Sequence, residues 1–290
     1  MEFLRNAFSL LRQSFEEWNQ DQAPRLAAAL AYYIAFSLAP LLILTIALVG
    51  FVLQEDVVRD RVLGLVTSAV GPSAGDFVSE LMSSLRQPNA SFISTALGIV
   101  ALLLGALGAF EQLKNALNTV WGVPPEKQKL GIKGFFLNKL LSFGMVLIIG
   151  FLLLVSLILS TAMSAFEAFT LTLGPGAEFG LRVLNLVLSN GIVILLFAMM
   201  FRFLPDIRLT WNDVAVGAAL TAVLFAIGKF ALGLYLGSSG MTSAYGAAGS
   251  FVLILLWIYY SAQIVLFGAE FTHVYARRFG SLRETSKLTT

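Results

Sequence analysis

The chain contains no cysteine and a single histidine, His273, in 290 residues. The first absence excludes a disulfide framework and any thiolate metal site. The second excludes a zinc site built from several imidazoles and leaves His273 as the one candidate for a histidine base. Charge is also scarce: 12% of residues are charged and 58% hydrophobic. Soluble domains carry about 25% charged residues. With mean hydropathy at +0.83, this composition cannot cover a water-facing surface, and the class it implies is an integral membrane protein.

A transmembrane helix needs about 20 mostly apolar residues to cross a core about 30 Å thick. Six windows meet this, near 27–53, 92–113, 136–161, 183–204, 213–236 and 244–272. The expected fold is therefore all-α, a polytopic bundle of six transmembrane helices. It divides into an interfacial helix at 1–24, a membrane domain at 25–274 and a basic tail at 275–290.

Lysine and arginine set the orientation, because cytoplasmic loops collect them. With the N-terminus inside, fourteen fall on the inner side and five (Arg59, Arg61, Arg86, Arg182 and Lys229) on the outer side, which accounts for all 19. Both termini are expected in the cytoplasm. The first 24 residues lack the unbroken apolar core of a cleavable signal. Instead Leu4, Phe8, Leu11, Phe15 and Trp18 recur at helical spacing, which predicts an amphipathic helix on the membrane surface or packed under the bundle. Pro24 suits the first turn of the next helix. The outer loop 54–91 carries apolar stripes on either side of Gly71-Pro72, which predicts two short amphipathic helices capping the outer face.

Enzyme readings fail on geometry or for want of parts. Gly237-Ser238-Ser239-Gly240 matches the GxSG around the serine of intramembrane proteases. At about 1.5 Å per residue, the last span holds those serines about 43 Å from His273, so no nucleophile–base pair forms. There is no GK[ST] phosphate loop, no H-E-x-x-H and no carboxylate cluster within a span. No enzyme, cofactor or metal site is expected. Basic residues spread over several inner segments are explained by orientation, so nucleic acid is not an expected partner.

The informative polar residues lie inside apolar spans. At 100° per residue Tyr245, Tyr259, Gln263 and Glu270 share one stripe of the last span. In hydrocarbon that stripe is costly, so it faces protein or a water-filled cavity. It serves either as interhelical packing glue or as the lining of a transport path. Tyr33, Ser37 and Pro40 share a face of the first span, where proline frees a backbone carbonyl. Glu111, Lys114, Asn115 and Asn118 gather at the inner end of the second span. There Lys114 or Lys139 is expected to pair with Glu270 or Glu111. Lys229 in the fifth span can snorkel to the outer interface. Small residues at four-residue spacing, such as Ala101, Gly105 and Ala109, mark close helix contacts within one bundle or between the subunits of a homo-oligomer.

The stretch GKFALGLYLGSSGMTSAYGAAGSFVLILLWIYYSAQIVLFGAEF (228–271) resembles the YihY/virulence factor BrkB family, once labelled ribonuclease BN-like. RLAAALAYYIAFSLAPLL, LNTVWGV and FRFLPDIRLTWNDVAVGA are similar to its other motifs. The resemblance implies a six-helix bacterial inner-membrane protein and, by analogy, export of an envelope lipid or small molecule. The ribonuclease label has no support in these residues. The leading expectation is a transporter or exporter with a polar path on the first and last spans, acting within the lipid bilayer on an unnamed cargo. The alternative is a non-transporting scaffold that organises envelope proteins. Gln263→Leu separates the two, since only a transporter depends on that amide.

Overall fold

The computed structural model describes residues 2–50, 55–85, 108–124, 190–207, 209–238 and 247–283, and the regular structure among them is helical throughout. Eight helices follow in order: α1 (Glu2–Gln20), α2 (Ala23–Gly50), α3 (Glu55–Val70) and α4 (Pro72–Leu85), then α5 (108–120), α6 (Asn190–Phe203), α7 (Trp211–Ser238) and α8 (Ala247–Arg278). Within α7 and α8, Trp211–Ala231 and Phe251–Arg278 are long and apolar enough to cross a bilayer, each with mean hydropathy 2.0. The predicted span 136–161 and most of 92–113 lie outside the described residues.

Local chemistry sets the breaks. Between α1 and α2 the chain turns through Gln22, which takes a positive φ of 53°, and Pro24 falls in the first turn of α2. Gly71, at φ 112°, separates α3 from α4, and Pro72 opens α4, where its missing N–H costs nothing. The start of α7 is a capping box. The Asp213 carboxylate accepts from the Thr210 backbone N–H at 3.2 Å and from its hydroxyl at 2.6 Å. The same carboxylate accepts from Ser281, just past α8, which ties the inner ends of the two apolar helices together.

Helix α8 is the hub, packing against α2, α7, α1 and α4. Its crossing with α7 is reciprocal. Thr272 lies against Gly217, and Thr221 lies against Gly268. Each threonine hydroxyl bonds back to the glycine carbonyl of its own helix, at 2.7 Å in both cases. The hydroxyls are thus satisfied while the two backbones approach closely. Helix α4, in the expected outer loop, contributes Ala74, Val78 and Met82 to a core with Ala31 and Ala35 of α2 and Ile254 and Ile258 of α8, and Val62, Leu63 and Val66 of α3 pack against it.

Helix α1 packs against α8 through Leu10, which meets Phe271 and Val274. Leu10, Ser14 and Glu17 recur at spacings of four and three and form its inward edge, with Ser14 fully buried. Of the apolar stripe read in the sequence, Trp18 joins the core. Phe8, Leu11 and Phe15 stay exposed.

Candidate functional site

The polar residues converge where α1 crosses the C-terminal end of α8. Glu270, His273 and Arg277 stand at i, i+3 and i+7 on one face of α8. Arg277 donates to both oxygens of Glu17, and Gln13, one turn earlier on α1, donates to Glu17 at 3.0 Å. Glu17, Glu270 and His273 each place a ligand atom within 4.8 Å of the others. Glu270 is fully buried, and among the described residues neither of its oxygens has a hydrogen-bond partner.

Asp21, in the turn after α1, brings a third carboxyl beside Glu270, short of a well-formed hydrogen bond. Burial holds the Asp21 carboxyl above the ordinary carboxylate range; the Glu270 contact opposes this, the Glu17 charge adds to it, and Arg277 opposes it again. On the other side, His273 lies against the Val120 backbone at the end of α5, while its Nδ1 is buried without a partner among the described residues. Three carboxyl groups, one imidazole and one guanidinium thus gather at this crossing, on a helix whose Leu266 and Ala269 belong to the main core. The arrangement can hold a proton or a cation, since its acceptors outnumber its donors.

The predicted polar stripe is only partly drawn together. Gln263 lies seven residues before Glu270, half-buried, and its Oε1 is also without a partner among the described residues. Tyr259 packs between the two larger core clusters. Tyr245 lies outside the described residues. On α2, Ser37 is buried and its hydroxyl bonds back to the Tyr33 carbonyl at 2.6 Å. The Tyr33 ring is 44% exposed and rests on Gly108 of α5, away from Glu270. Pro40 lies within α2, and its side chain is outside the described ones. Lys229 is exposed on α7 beside Phe225 and Tyr260.

At the end of α5 the ion pair that forms is Lys114 with Asp206, at 2.9 Å, rather than Lys114 with Glu270. Asn118 completes it, donating to Asp206 at 3.0 Å and accepting from its backbone N–H at 2.8 Å. Glu111 and Asn115 are exposed, and Lys139 lies outside the described residues. The cation beside Glu270 is Arg277. Sequence reading singled out none of Glu17, Asp21, His273 as a partner of Glu270, Arg277 or Asp206. One signal was present: the seven-residue step from Gln263 to Glu270 continues to Arg277, one turn past the apolar run.

Comparison with known proteins adds the lineage. The family model described as "Virulence factor BrkB" matches residues 14–289. A UPF0761 membrane protein of Alteromonas mediterranea is 30% identical over 276 residues, covering 93% of this chain and 90% of the relative. One of Tolumonas auensis is 30% identical, covering 87% and 80%. One of Teredinibacter turnerae is 28% identical over 94% of this chain, which spans 63% of that relative's length. No solved structure matches.

Proposed function

The chain belongs to the virulence factor BrkB family of membrane proteins, and from that premise we propose that it is a transporter or exporter of a lipid or small molecule in the bacterial inner membrane, with both termini cytoplasmic. One observation carries the reading. Gln263 and Glu270, on one face of the apolar helix α8, hold buried oxygens without hydrogen-bond partners among the described residues. Packing glue would be bonded, because an unmade bond costs about 1–3 kcal/mol per buried polar group. Polar groups kept free inside a span are the usual mark of a cargo or ion path. Tyr259, on the same helix, extends the stripe toward its other end, and Tyr33 and Ser37 of α2 are the further polar residues assigned to the path.

The test is transbilayer movement of labelled lipids, and leak of small solutes, in proteoliposomes holding matched amounts of folded protein. Gln263→Leu is expected to slow wild-type movement at least ~10-fold, equivalent to about 1.4 kcal/mol on the barrier. Tyr33→Phe measures what α2 adds. A second reading has its own support: Phe8 of α1 is 71% exposed and Phe15 58%, an apolar edge suited to a scaffold that gathers envelope proteins. Failure of wild type to move any cargo, with Gln263→Leu tolerated in cells, decides for the scaffold.

A further inference from the structure

We propose that Glu17, Glu270 and His273 form a binding site for a divalent first-row transition-metal ion at the inner end of α8. The donor set comes first. Two carboxylates and one imidazole suit ions from Mn²⁺ to Zn²⁺, since carboxylate alone favours Mg²⁺ or Ca²⁺ and thiolate is absent. The three ligand atoms already lie within 4.8 Å of one another. Tetrahedral donors on a common ion at about 2.1 Å stand about 3.4 Å apart, so the widest pair closes by at most about 1.4 Å, within reach of side-chain rotation.

The second argument is independent of spacing. Glu270 has no exposed surface and no bonding partner for either oxygen among the described residues, yet it points at two further acceptors, Glu17 and His273. A buried carboxylate is normally paired, bonded or on a metal. Arg277 turns its Nη2 to Glu17, and no Arg277 nitrogen bonds a Glu270 oxygen among the described residues. Glu17, Asp21 and Glu270 set three acidic groups against the one guanidinium of Arg277, so a divalent cation can take the place of the protons that burial favours.

The surroundings are those of a metal centre. His273 lies against the Val120 backbone, the kind of outer neighbour that can fix the ring of a ligating histidine. Arg277 and Gln13 hold Glu17 from outside, and a carboxylate has about four lone-pair sites, enough to keep them and still ligate. Entry is short, because the Arg277 side chain at the rim is 39% exposed. The site also joins two elements: α1 supplies Glu17 and α8 the other ligands, so a bound ion fastens α1 across the end of the bundle. The proposal stands apart from transport, since a protein that moves no lipid can still bind the ion.

The chain's single histidine makes the test direct. The full-length protein is purified with a tag free of histidine, stripped with EDTA, and labelled with ¹⁵N-histidine, which gives the imidazole signals of one residue. Zn²⁺ alone is the probe. One equivalent is expected to shift those signals and to raise the melting temperature. Glu270→Gln is expected to weaken Zn²⁺ binding at least ~10-fold, and Arg277→Lys, which keeps the charge but loses the fork, more mildly, within the roughly 10–100-fold range of outer-contact changes. Should Glu270→Gln fail to fold, the wild-type imidazole signal decides alone. An imidazole unmoved by stoichiometric Zn²⁺ overturns the proposal. So does Zn²⁺ binding that is equal in wild type and folded Glu270→Gln, which would place the ion elsewhere on the surface.

Discussion

Glu270 and Arg277 lie two helical turns apart on one face, yet their energetics have opposite signs. Arg277 satisfies both oxygens of Glu17, so Arg277→Ala strips donors from a half-buried carboxylate. Hydrogen bonds to charged groups are worth about 1.5–3 kcal/mol. Because the Arg277 side chain is 39% exposed, solvent replaces part of that, and the expected loss is about 1 kcal/mol. Adding Glu17→Gln to Arg277→Ala is expected to restore part of it, a coupling that a double-mutant cycle reads directly. Glu270 is the reverse. In metal-stripped protein its carboxylate has no bonding partner among the described residues, so Glu270→Gln removes a burden and leaves the shape. Its melting temperature in EDTA is expected to equal or exceed wild type, and in Zn²⁺ to fall below it. A lower value already in EDTA would reveal a partner for the carboxylate within the protein.

At the scale of the helix, the α7–α8 crossing is where a small change has the largest mechanical effect. A Cβ placed on Gly268 would stand 1.8 Å from the Thr221 hydroxyl oxygen, and one on Gly217 would stand 1.7 Å from that of Thr272. No rotamer resolves such an overlap while the threonine bonds its own helix, so the helices must separate. Gly268→Ala is expected to cost about 1–3 kcal/mol, the usual range for overpacking. Thr221→Ala, added to it, removes the oxygen and is expected to recover part of the loss, because the remaining Cβ lies at 2.9 Å. Thermal unfolding in detergent measures both; full tolerance of Gly268→Ala would mean the helices do not cross there. This contact shows what sequence reading can and cannot supply. The apolar runs of α7 and α8 were legible because twenty consecutive apolar residues admit few structures. The Gly-x-x-x-Thr repeat at Gly217–Thr221 and Gly268–Thr272 was equally visible, but spacing alone does not say which helices meet. The site had the same limit. Glu270 stood out as a carboxylate beside an apolar run, whereas Glu17 looked like a solvated charge on α1. Only the chain reversal at Gln22 turns Leu10, Ser14 and Glu17 against α8, and no local pattern encodes a contact between opposite ends of the chain.

For the whole molecule, the open physical question is which compartment the inner end of α8 faces, because that compartment supplies any ion the site takes. With the six spans expected from the sequence, fourteen of 19 lysines and arginines fall on the side of the termini, and a bias that large is the usual determinant of orientation in multi-span proteins. Helix α1, with Glu17 on its inward edge, then lies on the cytoplasmic side, and α3 lies on the opposite side. The absence of cysteine makes this testable with single replacements on an otherwise unreactive chain. Asn19 at the end of α1 is exposed, and Gly64 of α3 is exposed with open space around its Cα, so neither replacement disturbs packing. A membrane-impermeant maleimide added to intact spheroplasts is expected to label Gly64→Cys at once and Asn19→Cys only after lysis. Labelling of Asn19→Cys in intact spheroplasts would invert the molecule and open the Glu17–Glu270–His273 cluster to the outer compartment. In the expected orientation, α1 sits across the cytoplasmic end of the polar stripe on α8. An ion that ties Glu17 to Glu270 and His273 therefore holds α1 over the inner end of the proposed path, and its loss frees α1 to move from it.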